Sequence, residues 1–379
     1  MATTMAPLNT TNDVGDELNP GWGISEIENS MVVRAIYGII AVLGITGNFV
    51  VCLVLLRVPS LRSHTSNFLV HLSLVDLILC IWAVPFHLFP HVPDPSPGVG
   101  GDIKCRLYSS KFPLWTCALV SICSLVTVNL ERYIAIVYPI KYKNIYTPRN
   151  TALMIAACWA IGIISNSYTF YVYGNNEDGH CVFFGWPTKG FQVVLGLWNF
   201  ISYYLAPFIF MVITQWRVIK TLRDQAKMLK EKRERTVSTV RKSQYRKMWQ
   251  VHAAQELEKT LLIVSITYAI CWAPNQFLFI VFNLSPDPEI VDFGAAYYHF
   301  TVILAVANSC LNPIIYTMKN RPFRRGIRKV FGCPRGIHPK KQKPVAAEVA
   351  TVNSSDIIRL GHGPGVIVLE STNETSQQV

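Results

Sequence analysis

Apolar residues in this 379-residue chain gather into seven runs, each about long enough to cross a lipid bilayer as a helix. They cover residues 31–56, 66–89, 106–137, 151–173, 191–216, 259–282 and 296–318. Strands of soluble folds run to about four to eight residues, so runs of this length exclude a buried sheet. Hydrophobic residues make up 51% of the chain and charged ones only 15%, against about 25% charged in soluble proteins. The predicted fold class is an all-α membrane protein: seven transmembrane helices plus a short amphipathic helix beside the membrane. No repeat divides the chain, so duplicated transporter halves find no support.

Basic loop residues collect on the cytoplasmic side of a membrane. The first thirty residues hold five acidic side chains and no Lys or Arg, whereas residues 217–259 hold thirteen Lys/Arg against five Asp/Glu. Lys141, Lys143 and Arg149 make the loop 138–150 basic, and KNRPFRRGIRK follows the last run. This pattern predicts an extracellular N-terminus, a cytoplasmic C-terminus and a multi-pass plasma-membrane protein. The +12 net charge is therefore a topology signal, not a nucleic-acid footprint. The expected organisation is an N-terminal tail 1–30, a seven-helix bundle 31–318 with a long basic cytoplasmic loop 217–258, an amphipathic membrane-surface helix 319–333 and a disordered cytoplasmic tail 334–379. The N-terminus has neither the basic start nor the apolar run of a cleaved signal peptide, so the first span is expected to start insertion. Asn9 stands in an outward-facing glycosylation sequon; Asn283 stands in another, close to the membrane. Matches at Asn353 and Asn373 fall in the tail and are expected to be silent.

Polar residues inside apolar runs carry the chemistry, because intramembrane charge is costly and marks function. Asp76 sits in LVHLSLVDLILC, with Asn48, Ser121, Asn308, Ser309 and Asn312 as neutral oxygen-bearing partners in other spans. That set suits a hard cation or a proton; a purely structural acid is the competing reading. Glu131 and Arg132 are adjacent in VNLERYIAIVYP, at the inner end of the third span. Trp272 precedes Pro274 in AICWAPNQF, as a lever at a kink or as a packed ring. Asn312 and Tyr316 share a face in NPIIY, with Pro313 between them. Phe323, Ile327, Val330 and Phe331 line one side of the helix that follows. Cys333 then stands as an acylation site or a free thiol. Of the ten cysteines, Cys105 and Cys181 fall on the oxidising outer side and are expected to form a disulfide.

Together these features resemble a rhodopsin-like (class A) G-protein-coupled receptor over about residues 31–333. The resemblance is carried by GN at 47–48, LSLVD at 72–76, Cys105 with Cys181, ERY at 131–133, Trp159, Pro207, CWAP at 271–274 and NPIIY at 312–316. It implies a ligand at the outer half, a heterotrimeric G protein at the inner face, and receptor kinases and arrestin acting on the tail. Glu131, Arg132, Tyr133, Gln215, Trp272, Pro274, Asn312, Pro313 and Tyr316 then form the G-protein coupling and activation switch, and Asp76, Ser121, Asn308 and Asn312 match a sodium site.

Two substitutions depart from the family's pattern. Gln215 stands where a tyrosine is usual, and Ala254 where Arg132 commonly finds a glutamate partner. With Glu256 and Glu258 assigned to other faces, Arg132 is expected to rely on Glu131 alone, which favours basal activity. Cys105 precedes Arg132 by 27 residues, more than usual, so the third span is expected to start bulged or lengthened.

The ligand pocket implied by the resemblance is Leu114, Asn199, Asn275, Gln276, Phe279 and Tyr298. Leu114 replaces the aspartate that pairs with amines, and Val306 the lysine that holds retinal. A neuropeptide or peptide hormone is therefore expected. A lipid or other non-amine small molecule, or a constitutively active orphan, are the alternatives; a seven-span transporter is the alternative of another class. Acidic outer residues including Asp287 and Asp292 favour a cationic partner. No catalytic motif is present, so no enzyme is expected. Ser238, Thr239 and the STNETS run offer phosphorylation sites.

Overall fold

The computed structural model describes residues 30–89, 98–176, 180–235, 241–287 and 290–332. Asn9, Ser238, Thr239, Cys333, the tail from 334 onward and most of the N-terminal tail lie outside these residues. Among the described residues, seven helices are long and apolar enough to span a membrane: Met31–Arg57, His64–Leu88, Phe112–Val137, Pro148–Val172, Lys189–Lys232, Arg246–Leu284 and Ala296–Lys319.

Helix α1 is Met31–Arg57 and α2 His64–Ala83, continued by a wide turn at Val84–Leu88. A short α3, Val99–Lys104, precedes α4, Phe112–Val137, then α5, Pro139–Ile145, and α6, Pro148–Asn166. A short α7, Thr169–Val172, leads into a hairpin of β1, Tyr173–Asn175, and β2, Cys181–Phe183, with Gly174 opposite Val182. Helix α8, Lys189–Phe200, runs through a wide turn at Ile201–Leu205 into α9, Ala206–Arg235. Helices α10, Arg241–Leu284, α11, Ala296–Lys319, and α12, Arg321–Val330, complete the order.

A lipid-facing protein reverses the usual polarity of a core. Ile39, Val42, Phe49, Ile164, Val212 and Ile213 point outward, while Asn48, Asp76, Ser121, Asn308 and Asn312 are buried. In hydrocarbon every backbone polar group must be satisfied within the protein, and two of the motif prolines, Pro313 and Pro207, test that rule. Pro313 has no N–H for the Ser309 carbonyl; Asn48 Nδ2 donates to that oxygen instead, at 3.0 Å. Pro207 likewise leaves the Tyr203 carbonyl, which accepts the Tyr268 hydroxyl at 2.5 Å. Asn48 and Tyr268 thus close what proline opens.

Small residues set the helix spacing. A Cβ on Gly44 would lie 2.2 Å from Cys80 Sγ, and one on Gly162 would lie 2.5 Å from Val120 Cγ2. Glycine lets α1 approach α2, and α6 approach α4, within those limits. Ser63, Thr147, Thr188 and Asn320 cap α2, α6, α8 and α12 by accepting a backbone N–H.

Several boundaries differ from expectation. The third span starts at Phe112, not at 106: residues 105–109 form a wide turn, Lys111 takes a left-handed backbone (φ 54°), and Pro113 opens the helix. The extra spacing between Cys105 and Arg132 is absorbed there. The basic segment 217–258 continues the fifth and sixth spans as helix at every described residue, as the helical potential of its Leu, Lys, Arg, Gln and Glu implies. Asn283 is fully buried against Gly196 and donates to the Phe279 carbonyl at 2.7 Å, so its sequon is inaccessible. Helix α12 is amphipathic: Phe323 is buried, and Arg321, Arg324, Arg325 and Arg328 share the other side.

Candidate functional site

The conspicuous side chains sit at three levels of the bundle. At the end that carries α5 and α12, Glu131 is fully buried. Its Oε1 accepts the Tyr142 hydroxyl at 2.6 Å and its Oε2 the Thr65 hydroxyl at 2.8 Å. Arg132 Nε lies 3.0 Å from the same Oε2, an ion pair whose angles fall short of a hydrogen bond. Neighbouring helical residues do not face one another, so Glu131 is anchored from α2 and α5 while Arg132 reaches it obliquely. The arginine side chain keeps 14% exposure. Burial and the Glu131 charge push the Tyr142 phenol up, so it remains a donor.

Of the pair, Glu131 has 0% exposure and Arg132 is the member that remains partly exposed. The assignment of Glu258 to another helix face is wrong. Glu258 is four residues beyond Ala254, hence on the same face, and it is buried with Arg132 and Glu131 as the charges acting on it. Glu256 is instead exposed and pairs with Lys259 at 2.9 Å. Gln215 is buried, and its Nε2 lies 2.9 Å from Asn129 Oδ1, 2.7 Å from Ser265 Oγ and 3.2 Å from the Leu261 carbonyl. One amide thereby ties α4, α9 and α10 together. Tyr133 packs edge-on to Tyr138 at 5.6 Å. The Tyr316 ring is buried 6.5 Å from that of Phe323, and its hydroxyl makes no hydrogen bond among the described residues.

At mid-bundle, Asp76 Oδ1 accepts from Ser121 Oγ at 2.6 Å and Oδ2 from Asn312 Nδ2 at 2.9 Å. No cationic side chain bonds this carboxylate among the described residues. Asn308 Oδ1 and Asn312 Oδ1 are buried without a hydrogen bond. The oxygens are one carboxylate, one hydroxyl and two amides, a set suited to a hard cation of low charge. No group of three or more His, Cys, Asp and Glu gathers among the described residues.

At the opposite end Cys105 and Cys181 are disulfide-bonded, with Cα atoms 5.4 Å apart. The hairpin of β1 and β2 is thereby tied to the turn before α4. Beneath it lies a cleft that is partly open to solvent. Asn199, Asn275, Gln276, Phe279 and Tyr298 line it together, five of the six residues expected there. Leu114 does not: it is buried in the hydrophobic core, and its neighbour Trp115 faces the cleft. Tyr203, Phe183 and Trp186 also line it and were not anticipated. Trp115 and Tyr203 were accessible through helical register; Phe183 and Trp186 depend on the path of the hairpin. Tyr203 packs against Trp272, ring centres 5.7 Å apart, so the tryptophan of CWAP sits one side chain below the cleft.

Comparison with known proteins agrees with this layout. The family model described as 7 transmembrane receptor (rhodopsin family) matches residues 47–316. Galanin receptor 2a of Danio rerio is 28% identical over 313 residues, covering 80% of this chain and 79% of that protein. The allatostatin-A receptor of Bombyx mori is 28% identical over 318 residues, covering 80% and 81%. The histamine H2 receptor of Canis lupus familiaris is 28% identical over 338 residues, covering 87% and 86%.

Proposed function

We propose, from the premise that this chain belongs to the rhodopsin family of seven-transmembrane receptors, that it is a receptor for an extracellular peptide. Members of this family transduce signals rather than catalyse reactions, and couple to heterotrimeric G proteins. The relatives divide between peptide and amine receptors, so ligand class must be argued from this chain. The observation that carries the argument is the cleft's chemistry: Asn199, Asn275 and Gln276 amides among aromatic rings, with a core leucine at 114. Amides donate to and accept from a peptide backbone, and the rings pack its side chains. A protonated amine needs a carboxylate, and no Asp or Glu lines the cleft among the described residues.

The N-terminus and the disulfide end face outward, and the Arg132 end faces the cytoplasm, in keeping with the basic residues. Arg132 is the coupling residue. Its oblique pairing with Glu131, and the charge of Glu258 on α10, hold it until the G protein competes for it. Trp272 relays the state of the cleft through Tyr203, and Pro274, Asn312, Pro313 and Tyr316 provide the deformable helix segments. Asp76 with Ser121, Asn308 and Asn312 would hold a sodium ion, which would supply the counter-charge for the carboxylate. Asn9 is glycosylated, Cys333 is acylated, and the tail is phosphorylated by receptor kinases and recruits arrestin. A non-amine lipid ligand is the second reading, favoured by the cleft's aromatic walls.

Nucleotide exchange on a panel of G proteins, driven by the purified receptor and a peptide library, tests the proposal. A peptide that accelerates exchange supports it. Acceleration by lipids or amines alone overturns the peptide assignment, and no exchange with any G protein overturns the coupling.

A further inference from the structure

The lining of the cleft is neutral: no Asp, Glu, Lys, Arg or His side chain takes part in it among the described residues. Its side-chain polarity comes from carboxamides and hydroxyls, and some of these carboxamides are already bonded within the chain. Asn166 Nδ2 donates to the Gly162 carbonyl and to the Tyr203 hydroxyl, both at 2.9 Å, and its Oδ1 lies 3.1 Å from the same hydroxyl. Asn275 Nδ2 reaches Thr301 Oγ1 at 3.4 Å, and its Oδ1 accepts from Gln276 Nε2 at 3.4 Å. Two carboxamide oxygens are left over. Asn199 Oδ1 on α8 and Gln276 Oε1 on α10 are buried without a hydrogen bond among the described residues. Both residues line the cleft, with 7% and 5% exposure. Farther out, Asp102 of α3 is bonded to the hairpin at the Asn175 N–H and already pairs with Arg106 at 2.7 Å.

A buried carbonyl oxygen without a donor has lost its water and gained nothing in exchange. The terminal torsion of an amide side chain is broad, so each oxygen can swing toward a donor placed in the cleft. A linear peptide enters such a cleft by one of its ends. At neutral pH a free C-terminus is anionic and a free N-terminus cationic, and the lining holds no counter-charge for either. Burying either charge unpaired is disfavoured, so the end that enters is uncharged. Among uncharged ends, an acylated N-terminus brings one N–H, whereas a C-terminal carboxamide brings two, as many as there are unbonded oxygens. We propose that the cleft takes an amidated peptide C-terminus, with Asn199 and Gln276 accepting from its N–H groups and the aromatic walls packing the last side chain. This rests on the cleft being a peptide site, and it names which end of the peptide enters. The charged remainder of the peptide, its free N-terminus included, stays toward the acidic outer residues.

The test melts the purified full-length chain in pools of tripeptides that share a fixed last residue. Each pool is prepared as acetylated amide, acetylated free acid and unacetylated amide. At least one amide pool should stabilise saturably, with about tenfold or more better apparent affinity than its free acid. Removing the acetyl group should leave that affinity unchanged. Asn199→Leu and Gln276→Leu should each weaken the amide by about fivefold or more, the loss of one hydrogen bond. Gln276→Lys supplies a counter-charge and should reverse the order, so that the acid outbinds the amide. If the lysine variant does not fold, the leucine variants decide; if none folds, the order in the wild type decides. No stabilisation by any amide pool, acids that bind as well as amides, or leucine variants that bind amides as well as wild type overturn the assignment. Nucleotide exchange with the same pools and preparations separates the claims. Exchange driven equally by acids and amides overturns only the amidated end, whereas an amide preference in melting without exchange on any G protein overturns only the coupling.

Discussion

Asp76 in α2 and Glu131 in α4 are both fully buried carboxylates, yet their surroundings meet the cost of burial differently. Glu131 accepts two hydroxyls and has a guanidinium 3.0 Å away, so its counter-charge is part of the chain. Asp76 accepts one hydroxyl and one amide and has no cationic side chain bonded to it among the described residues. An unpaired buried charge costs several kcal/mol, roughly what a built-in partner offsets. The contrast separates an ion pair built into the chain from a carboxylate whose bonded partners are all neutral, the one proposed to take a mobile cation.

Removing the built-in partner should have the largest effect. Arg132→Ala leaves Glu131 buried with neutral donors only, and should cost about 3 kcal/mol of stability. Agonist-stimulated exchange should fall far more than ligand affinity; normal exchange from a surface-expressed mutant would contradict the coupling role. Tyr142→Phe removes one charge-assisted donor from Glu131 and should cost about 1.5–3 kcal/mol. Its basal exchange should also rise, because the anchor of the arginine's partner is loosened. An unchanged melting temperature and basal rate would show that α5 does not hold Glu131. Gln215→Met is the neutral control between the two carboxylates. It strands Asn129 Oδ1 and should cost about 1–2 kcal/mol, with no change in the sodium dependence of melting. A lost sodium response in Gln215→Met would mean the two levels are not separable.

How much of this is legible in the sequence follows from distance along the chain. Asp76 declares itself, because an acid in the middle of an apolar run has few readings. The anchors of Glu131 do not, since Thr65 lies on α2, 66 residues away, and Tyr142 on the short α5, 11 residues on. Glu258 could have been placed from the sequence: four residues past Ala254 is nearly one full turn. Asn48 and Gly47 were recognisable as a motif, but that Asn48 takes the carbonyl freed by Pro313 needs the packing of α1 on α11. The start of α4 was legible only in part. The long spacing from Cys105 signalled an irregularity, while the left-handed residue at Lys111 that resolves it carries no glycine or asparagine signature. Five cleft residues followed from the family resemblance, whereas the hairpin aromatics depend on a disulfide-tied loop with no periodicity to read.

The difference between the two carboxylates is tested most directly by melting the purified full-length chain in sodium against potassium at equal ionic strength. Wild type and Glu131→Gln should be stabilised by sodium over potassium, by about 1.4 kcal/mol at tenfold excess over the dissociation constant. Asp76→Asn should show no difference between the two salts. Equal melting of the wild type in both salts, or a sodium preference that survives in Asp76→Asn, would contradict the assignment of the mobile counter-charge to Asp76.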